Sequence, residues 1–355
     1  MLVYIVFISF FGLVTLIQLY YILKYYWRLA FKALPIANQA SLLPVSIIIA
    51  ARNESENLQK YLDSILLQDY PNFEVIVVND CSYDLSTDLL KGYQERYAHL
   101  KVLELAEDER FKHGKKFALT LGIKSAQHEH LLFTDADCMP VSNQWLRNMQ
   151  SFFEGKEIVL GYGAYKKKSG ILNKLIRFET FHTALQYLSY AIAGIPYMGV
   201  GRNLSYKKDV FIRNKGFSSI NMIPSGDDDL FINQVANKKN TAIVIDHAAH
   251  TISEPKNTWS EWMTQKYRHY TTAKFYKPIH RFLLGLYSFS LFALYPLFII
   301  SIIFYNWWLV LAVYGFRLII QGVVLFKSMK KLNETDLFPW FILLDLWMPL
   351  YYLFT

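Results

Sequence analysis

Apolar residues in this chain come in two textures. Residues 1–23 are uncharged and almost wholly apolar, and 282–304, 307–326 and 337–354 are comparable runs. About 20 such residues cross a bilayer as a helix, so each run is expected to be a transmembrane span. Between about 44 and 255 the texture changes to short apolar runs that stop at polar turns. VSIIIAA (45–51), FEVIVVND (73–80), KVLEL (101–105) and the apolar part of HEHLLFTDAD (128–137) read as buried strands. IVLGYG (158–163) and TAIVIDH (241–247) are further candidates. Between the first two strands, Leu58, Leu62, Ile65 and Leu66 recur at helical spacing. Strands alternating with helices predict an α/β domain, a doubly wound and mostly parallel sheet, flanked by transmembrane helices.

Two stretches are amphipathic at helical period. In 171–192 the apolar positions include Ile171, Leu175, Phe178, Leu185, Leu188 and Ile192. Residues 256–280 mix Trp259, Trp262, Tyr267 and Tyr270 with lysine and arginine. Because spans flank the domain, both are expected to lie on the membrane surface, with a core helix as the plainer reading of the first.

Composition sharpens this picture. A chain that is 53% hydrophobic and 17% aromatic is too apolar for an ordinary soluble domain of 355 residues. The net charge of +8 is scattered, without a basic tract or a zinc-finger or RNP-like signature, so no nucleic-acid partner is expected. A basic surface facing anionic lipid or an anionic substrate fits better. The first cations, Lys24, Arg28 and Lys32, follow the N-terminal run, and Lys327, Lys330 and Lys331 follow the third. By the positive-inside rule the N-terminus is outside and the α/β domain is cytoplasmic, in a bacterial-type inner or plasma membrane. The N-terminal run lacks a basic start and a small-residue cleavage site, so it is expected to be an anchor. Cys81 and Cys138 make no disulfide framework and suit a reducing compartment. Arg317 and Asp345 sit near mid-depth of the last two runs, where an unpaired charge is costly, and are expected to pair.

The candidate chemistry lies in the turns. The fourth strand ends in Asp135 and Asp137, and in open α/β sheets ligands sit outside the carboxyl ends of strands. Two carboxylates there can hold a divalent cation, Mg²⁺ or Mn²⁺, that in turn holds phosphate oxygens. Arg52-Asn53-Glu54 follows the first strand and Asp80 ends the second. HGKKFAL (113–119) offers Gly114 for close backbone approach and Lys115 as a point charge. GVGRNLSY (199–206), SGDDDL (225–230) and QKYRHY (265–270) complete the series, the last with Gln265, Arg268 and His269 on one helical face. Singly, each has a plainer reading: Asp-x-Asp as a turn, Lys115 as a solvated lysine, SGDDDL as a helix cap, His247 and His250 as structural histidines. There is no GxxxxGK[ST], which argues against phosphoryl transfer of the P-loop kind.

In this order the motifs resemble glycosyltransferase family 2, enzymes of GT-A fold, from about Pro44 to His269. The flanking spans are similar to its membrane-integrated members, the cellulose, hyaluronan and poly-N-acetylglucosamine synthases and the ceramide glucosyltransferases. The resemblance implies that Arg52, Glu54 and Asp80 bind uracil and ribose, and that Lys115 approaches the diphosphate. It implies that Asp135 and Asp137 position the metal and the nucleotide sugar, and that Gly201 and Asn203 line the acceptor site. The family's Glu-Asp pair corresponds to Asp227 and Asp228, with Asp228 as base, within a run of three aspartates. Its Gln-x-x-Arg-Trp motif is Gln265, Arg268 and, in place of Trp, His269. The implied reaction is inverting transfer from a nucleotide-diphosphate sugar to a hydroxyl of a membrane lipid or lipid-linked glycan. A processive polysaccharide synthase, with room for an accessory subunit, and a non-catalytic scaffold of the same fold are the alternatives.

Overall fold

The computed structural model describes residues 2–33, 42–107 and 114–353. Ten strands are found among them: β1 (Val45–Ala51), β2 (Phe73–Asp80), β3 (Leu100–Leu105), β4 (His130–Phe133), β5 (Cys138–Pro140), β6 (Ile158–Leu160), β7 (Gly163–Tyr165), β8 (Leu204–Lys207), β9 (Thr241–Ile243) and β10 (Thr251–Ser253). Seven of these form the main sheet in the order β3-β2-β1-β4-β8-β6-β9, and β5-β10-β7 form a small second sheet. The block β3-β2-β1-β4 is parallel throughout. Its strands are near-continuous Val/Ile/Leu runs because both faces are covered. Register sets where these strands end. Ala51 of β1 pairs with Asn79 of β2, and Ile48 pairs with Phe133 of β4. The carboxyl ends of the three strands therefore finish at one rim, bringing Arg52, Asp80 and Asp135 together.

The expected strands are present. The unexpected one is β8, antiparallel to both β4 and β6 and central to the sheet. It reverses direction within a mostly parallel sheet, so its approach turn, Gly201–Asn203, comes back to the same rim.

The helices are α1 (Leu2–Tyr21), α2 (Trp27–Phe31), α3 (Ser55–Leu66), α4 (Ser86–Arg96), α5 (Lys115–Ser125), α6 (Trp145–Gln150), α7 (Ile171–Ile192), α8 (Lys208–Arg213), α9 (Asp229–Val235), α10 (Trp259–Tyr270), α11 (Pro278–Phe304), α12 (Trp307–Lys331) and α13 (Phe341–Leu353). A π turn, Ile22–Tyr26, joins α1 to α2 without a break. Three helices are long and apolar enough to cross a membrane among the described residues: Val6–Phe31, Pro278–Phe304 and Trp307–Lys331. The first outruns the expected 1–23, continuing through Lys24 and Arg28, and the second starts four residues before 282.

Two expectations need correction. The run at 337–354 is not among the three long apolar helices of the described residues. It is a 3₁₀ turn, Thr335–Trp340, followed directly by α13, which carries Pro349 inside and is described as far as Leu353. Nor does α7 lie on a membrane surface; it is a core helix, buried along nearly its whole length. Its polar residues have distant partners. Arg177 Nε donates to Glu334 at 3.0 Å and Nη1 to Asp336 at 2.8 Å. Glu179 pairs with Lys266, His182 lies 2.9 Å from the Tyr287 hydroxyl, and Gln186 donates to Tyr26 at 3.3 Å. Arg317 and Asp345 do pair, at 3.0 Å, and Tyr295 and Gln321 also donate to the carboxylate, each at 2.7 Å. One apolar core runs without interruption from the sheet through α7 into α1, α11, α12 and α13.

Candidate active site

The first three turns are laced together before any ligand arrives. Asn53, in left-handed conformation (φ 55°), donates its N–H to Ser82 at 2.8 Å and accepts from the Tyr83 N–H at 2.8 Å. Asp84 accepts from the Ser55 and Ser86 N–H groups, so a residue of the β2 turn caps the start of α3. Glu54 is thereby held in the rim, where burial and the Asp137 and Asp135 carboxylates push its own carboxyl up against the opposing Asn57 amide.

Below the rim lies a cavity of about 1490 Å³. Arg52, Glu54, Asp80, Lys115, Asp135, Asp137, Gly201, Asp227, Asp228, Gln265 and Arg268 all line it. The chain thus brings residues from seven separate segments to one wall. His113 and the side chain of His269 lie outside the described residues.

Gly114 opens α5 at φ 143°, a conformation that side chains rarely adopt, and this turn aims Lys115 into the cavity. Its ammonium lies 2.7 Å from Asp135 Oδ1 and 3.4 Å from Asp227 Oδ2. Desolvation works against that charge, but Asp135, Asp227 and Asp228 hold it well above its ordinary value.

The ligand atoms of Asp135, Asp137 and Cys138 lie within 4.8 Å of one another. Burial and the two carboxylates keep the Cys138 thiol well above its usual range. It therefore stays protonated, 3.3 Å from Asp137 Oδ1 and 2.9 Å from Ser253 Oγ. What is left is a pair of carboxylates, hard oxygen donors suited to Mg²⁺ or Mn²⁺ rather than to a soft metal. Burial and the Asp135 charge push the Asp137 carboxyl up, a repulsion that a cation would relieve. On this observation the residues fit a divalent ion.

The three aspartates of 227–229 separate by geometry. Asp229 also borders the cavity, but one of its carboxylate oxygens is taken by the Thr272 and Tyr276 hydroxyls. Asp227 faces Lys115. Asp228 accepts from the Gly201 N–H at 2.6 Å and caps α9 through the Asp229 N–H at 2.7 Å. Cap and cavity residue are the same residue. Burial first, then Asp227 and Asp229, raise its carboxyl to about 7, against the opposing pull of Lys115 and the Gly201 N–H. A Cβ on Gly201 would sit 3.3 Å from Asp228 Oδ2 and 3.4 Å from Lys115 Nζ, so the backbone comes close here because this residue is glycine.

Asn203 differs from its expected place. Its side chain is fully buried and faces away from the cavity. It accepts from Trp145 Nε1 at 3.0 Å and donates to the Tyr162 and Ala249 carbonyls at 2.9 and 2.8 Å. Asn203 pins the Gly201–Asn203 turn; it does not line an acceptor pocket. The residue between the two, Arg202, does line the cavity, and no sequence motif singles it out. Its guanidinium lies 4.5 Å over the Tyr165 ring, and the Tyr165 hydroxyl accepts a long bond from Gln265 at 3.4 Å. Burial disfavours the charge of Arg202, but Tyr165, Cys138 and Asp135 raise it above its ordinary value. No carboxylate lies within ion-pair distance of it among the described residues. Its position between two motif residues is the one signal the sequence offers.

Comparison with known proteins bears on the family and the fold. Residues 46–213 match the family model described as Glycosyl transferase family 2. A stretch of 123 residues is 37% identical to Glycosyltransferase AglE of Haloferax volcanii, 34% of this chain and 39% of that protein. Another of 137 residues is 30% identical to Poly-beta-1,6-N-acetyl-D-glucosamine synthase of Staphylococcus epidermidis, 38% of this chain and 32% of that one. The chain therefore spans about two fifths or less of these curated relatives. In three dimensions it is similar to the mannosyltransferase PcManGT from Pyrobaculum calidifontis, solved in complex with GDP-Man and Mn2+. That likeness covers 97% of this chain and 99% of that one, with a TM-score of 0.62 and 18% identity, and it establishes the GT-A fold.

Proposed function

On the premise that residues 46–213 form a glycosyl transferase family 2 domain of GT-A fold, we propose that this chain transfers a sugar, with inversion, from a nucleoside-diphosphate sugar to a hydroxyl of a membrane lipid or lipid-linked glycan. The observation that carries the reading is Asp228, a half-buried carboxylate raised to about 7, in the same cavity as Lys115 and the Asp135–Asp137 pair. A base poised near neutral pH and a cationic leaving-group site are what this displacement needs.

Arg52, Glu54 and Asp80, at the rim, receive the nucleoside. Lys115, Arg202 and Arg268 face the diphosphate, where negative charge grows as the bond from the anomeric carbon to the leaving oxygen breaks. A divalent ion held by Asp135 and Asp137 supplies further Lewis-acid neutralisation of that leaving group when bound. Asp228 accepts the proton of the acceptor hydroxyl as its oxygen attacks the anomeric carbon from the opposite side. One base on the face opposite the leaving group implies single displacement, which requires no second nucleophilic carboxylate. The cations Lys24, Arg28, Lys327, Lys330 and Lys331, at like ends of their helices, support a cytoplasmic catalytic domain.

The likeness to a polysaccharide synthase favours polymer formation as a second reading. The test is nucleoside diphosphate release by purified protein over a panel of UDP- and GDP-sugars, with Mn²⁺, Mg²⁺ or chelator, with and without membrane lipid. Release from one donor that needs lipid and stops after one sugar is expected. A ladder of products would favour the synthase. Absence of release and of nucleotide binding from folded protein would leave only a scaffold.

A further inference from the structure

The cavity does not end at Asp228. One of its walls is a face of α11 formed by Arg281, Leu284, Gly285 and Ser288. Their spacing of three, four and seven makes a single helical stripe, about 10 Å long at 1.5 Å per residue. The same helix is one of the three that are long and apolar enough to cross a bilayer. Arg281 marks its water side and is exposed, and the residues that follow run into apolar sequence.

A neighbouring stripe of α11 faces outward. Phe282, Phe289 and Phe292 are 63%, 65% and 44% exposed, as side chains against lipid would be. Gly285 falls in that row, three residues after Phe282 and four before Phe289, and is itself exposed. It also lines the cavity. A Cβ placed on Gly285 would meet no atom within 4 Å. Where the phenylalanine row and the cavity wall share a residue, that residue has no side chain, and the space beside it is open. Inside, the same cavity is walled by Thr180, Thr183 and Gln186 of α7, hydroxyl and amide groups able to meet a polar head.

We infer that the gap at Gly285 is the entrance for the acceptor, a hydroxyl-bearing amphiphile. Its apolar chain stays in the bilayer against α11 while its head group passes Gly285 and reaches Asp228. This rests on the transferase reading and adds to it a route and a ligand class. The physical reason is the cost of the other route: lifting a lipid chain into water costs about 0.8 kcal/mol per CH₂, so a chain of ordinary length cannot leave the membrane at each turnover. A side entrance one turn below Arg281 lets the head move while the chain stays.

The test uses the full chain in phosphatidylcholine vesicles containing a trace of diacylglycerol with a diazirine on one acyl chain. After illumination, labelled peptides are mapped by mass spectrometry for wild type and for Gly285→Ala, Gly285→Leu and Gly285→Trp. UDP and GDP binding is measured on each variant in parallel, which reports folding of the catalytic domain. Labelling concentrated at residues 281–288 is expected, falling with side-chain size and by about tenfold or more in Gly285→Trp, with nucleotide binding unchanged. If labelling is spread evenly over α1, α11 and α12, or is the same in Gly285→Trp, the entrance is wrong while the transferase reading stands. If no protein binds nucleotide yet the label maps to 281–288 and is lost in Gly285→Trp, the lipid entrance stands and the transferase reading fails.

Discussion

Replacing Asp228 by Asn should abolish transfer and, at neutral pH, stabilise the protein. The two effects share one cause. In the fold the carboxyl is raised to about 7, mainly by burial and by the charges of Asp227 and Asp229, whereas in the unfolded chain it ionises near the ordinary aspartate value of about 3.9. An acid whose folded value is raised opposes folding once the unfolded state can ionise: stability is unaffected below about pH 4 and falls progressively as pH rises towards 7. Three units correspond to about 4 kcal/mol at pH 8. The pull of Lys115 and of the Gly201 N–H on the charge is already contained in that net figure. Asp228→Asn should therefore melt at higher temperature than wild type at pH 8 and at about the same temperature at pH 4. In activity the order reverses. Wild-type kcat/KM should rise tenfold per pH unit below about 7, so that at pH 5 it is about one hundredth of the plateau. The variant should be lower by roughly 10²–10⁴-fold and lack that limb. Melting curves and nucleoside diphosphate release between pH 4 and 9 read both. An unchanged pH limb in the variant, or a variant less stable than wild type at pH 8, would refute the assignment of base and half-buried charge to Asp228.

Other perturbations address the rest of the site and the membrane segment. Asp135→Asn and Asp137→Asn should each weaken Mn²⁺ binding in calorimetry and leave uridine binding intact; metal affinity equal to wild type in both variants would remove the ion from this position. Arg202→Met keeps the packing over Tyr165 and removes the charge. It should weaken nucleoside diphosphate binding by about 1.5–3 kcal/mol, the range for charged hydrogen bonds, with uridine and Mn²⁺ affinities unchanged. If Mn²⁺ affinity rises instead and diphosphate binding is unchanged, Arg202 serves only to balance Asp135 and Asp137. Arg317→Leu strands the Asp345 carboxylate and should cost about 3–5 kcal/mol, most of it recovered when Asp345→Leu is added. Additive losses in detergent melting curves would mean that the two charges are not coupled.

Much of the catalytic rim is legible in the sequence because parallel strands buried on both faces leave long apolar runs with abrupt polar ends. The carboxyl ends of β1, β2 and β4 are visible as Arg52, Asp80 and Asp135 for that reason alone. β8 is not, because Leu-Ser-Tyr-Lys (204–207) is no apolar run and follows a glycine-rich turn that looks functional. Asn203 is hidden for a different reason: its three hydrogen bonds go to Trp145, Tyr162 and Ala249, contacts that no local pattern announces. Helix α7 misleads in a more instructive way. Asn173, Arg177, Glu179, His182 and Gln186 break its apolar run as the polar face of a surface helix would. The partners of the last four lie up to about 160 residues away, at Glu334, Lys266, Tyr287 and Tyr26, so spacing within the helix gives no sign that they are satisfied in the interior. In 337–354, Pro339 falls in the 3₁₀ turn and Pro349 inside α13, and the two prolines are the signal that this run is not one uninterrupted α-helix.

On the proposed reading, the burial of α7 also bears on how the catalytic domain stands to the membrane. One helix presents Thr180 and Thr183 to the cavity and, through Arg177, His182 and Gln186, is bound to Glu334, Tyr287 and Tyr26 on the membrane side. Removing one partner of a buried ion pair costs about 3–5 kcal/mol, and the Arg177–Glu334 contact is buried on both sides. A domain that rocked away from the bilayer to fetch its acceptor would have to open these contacts together with the apolar core they sit in. Asp228 is thus held at a fixed depth relative to α11. On the proposed reading, with Asp228 as a fixed base, the moving part is the substrate, and a gap such as the one inferred at Gly285 is the kind of opening that a fixed base requires.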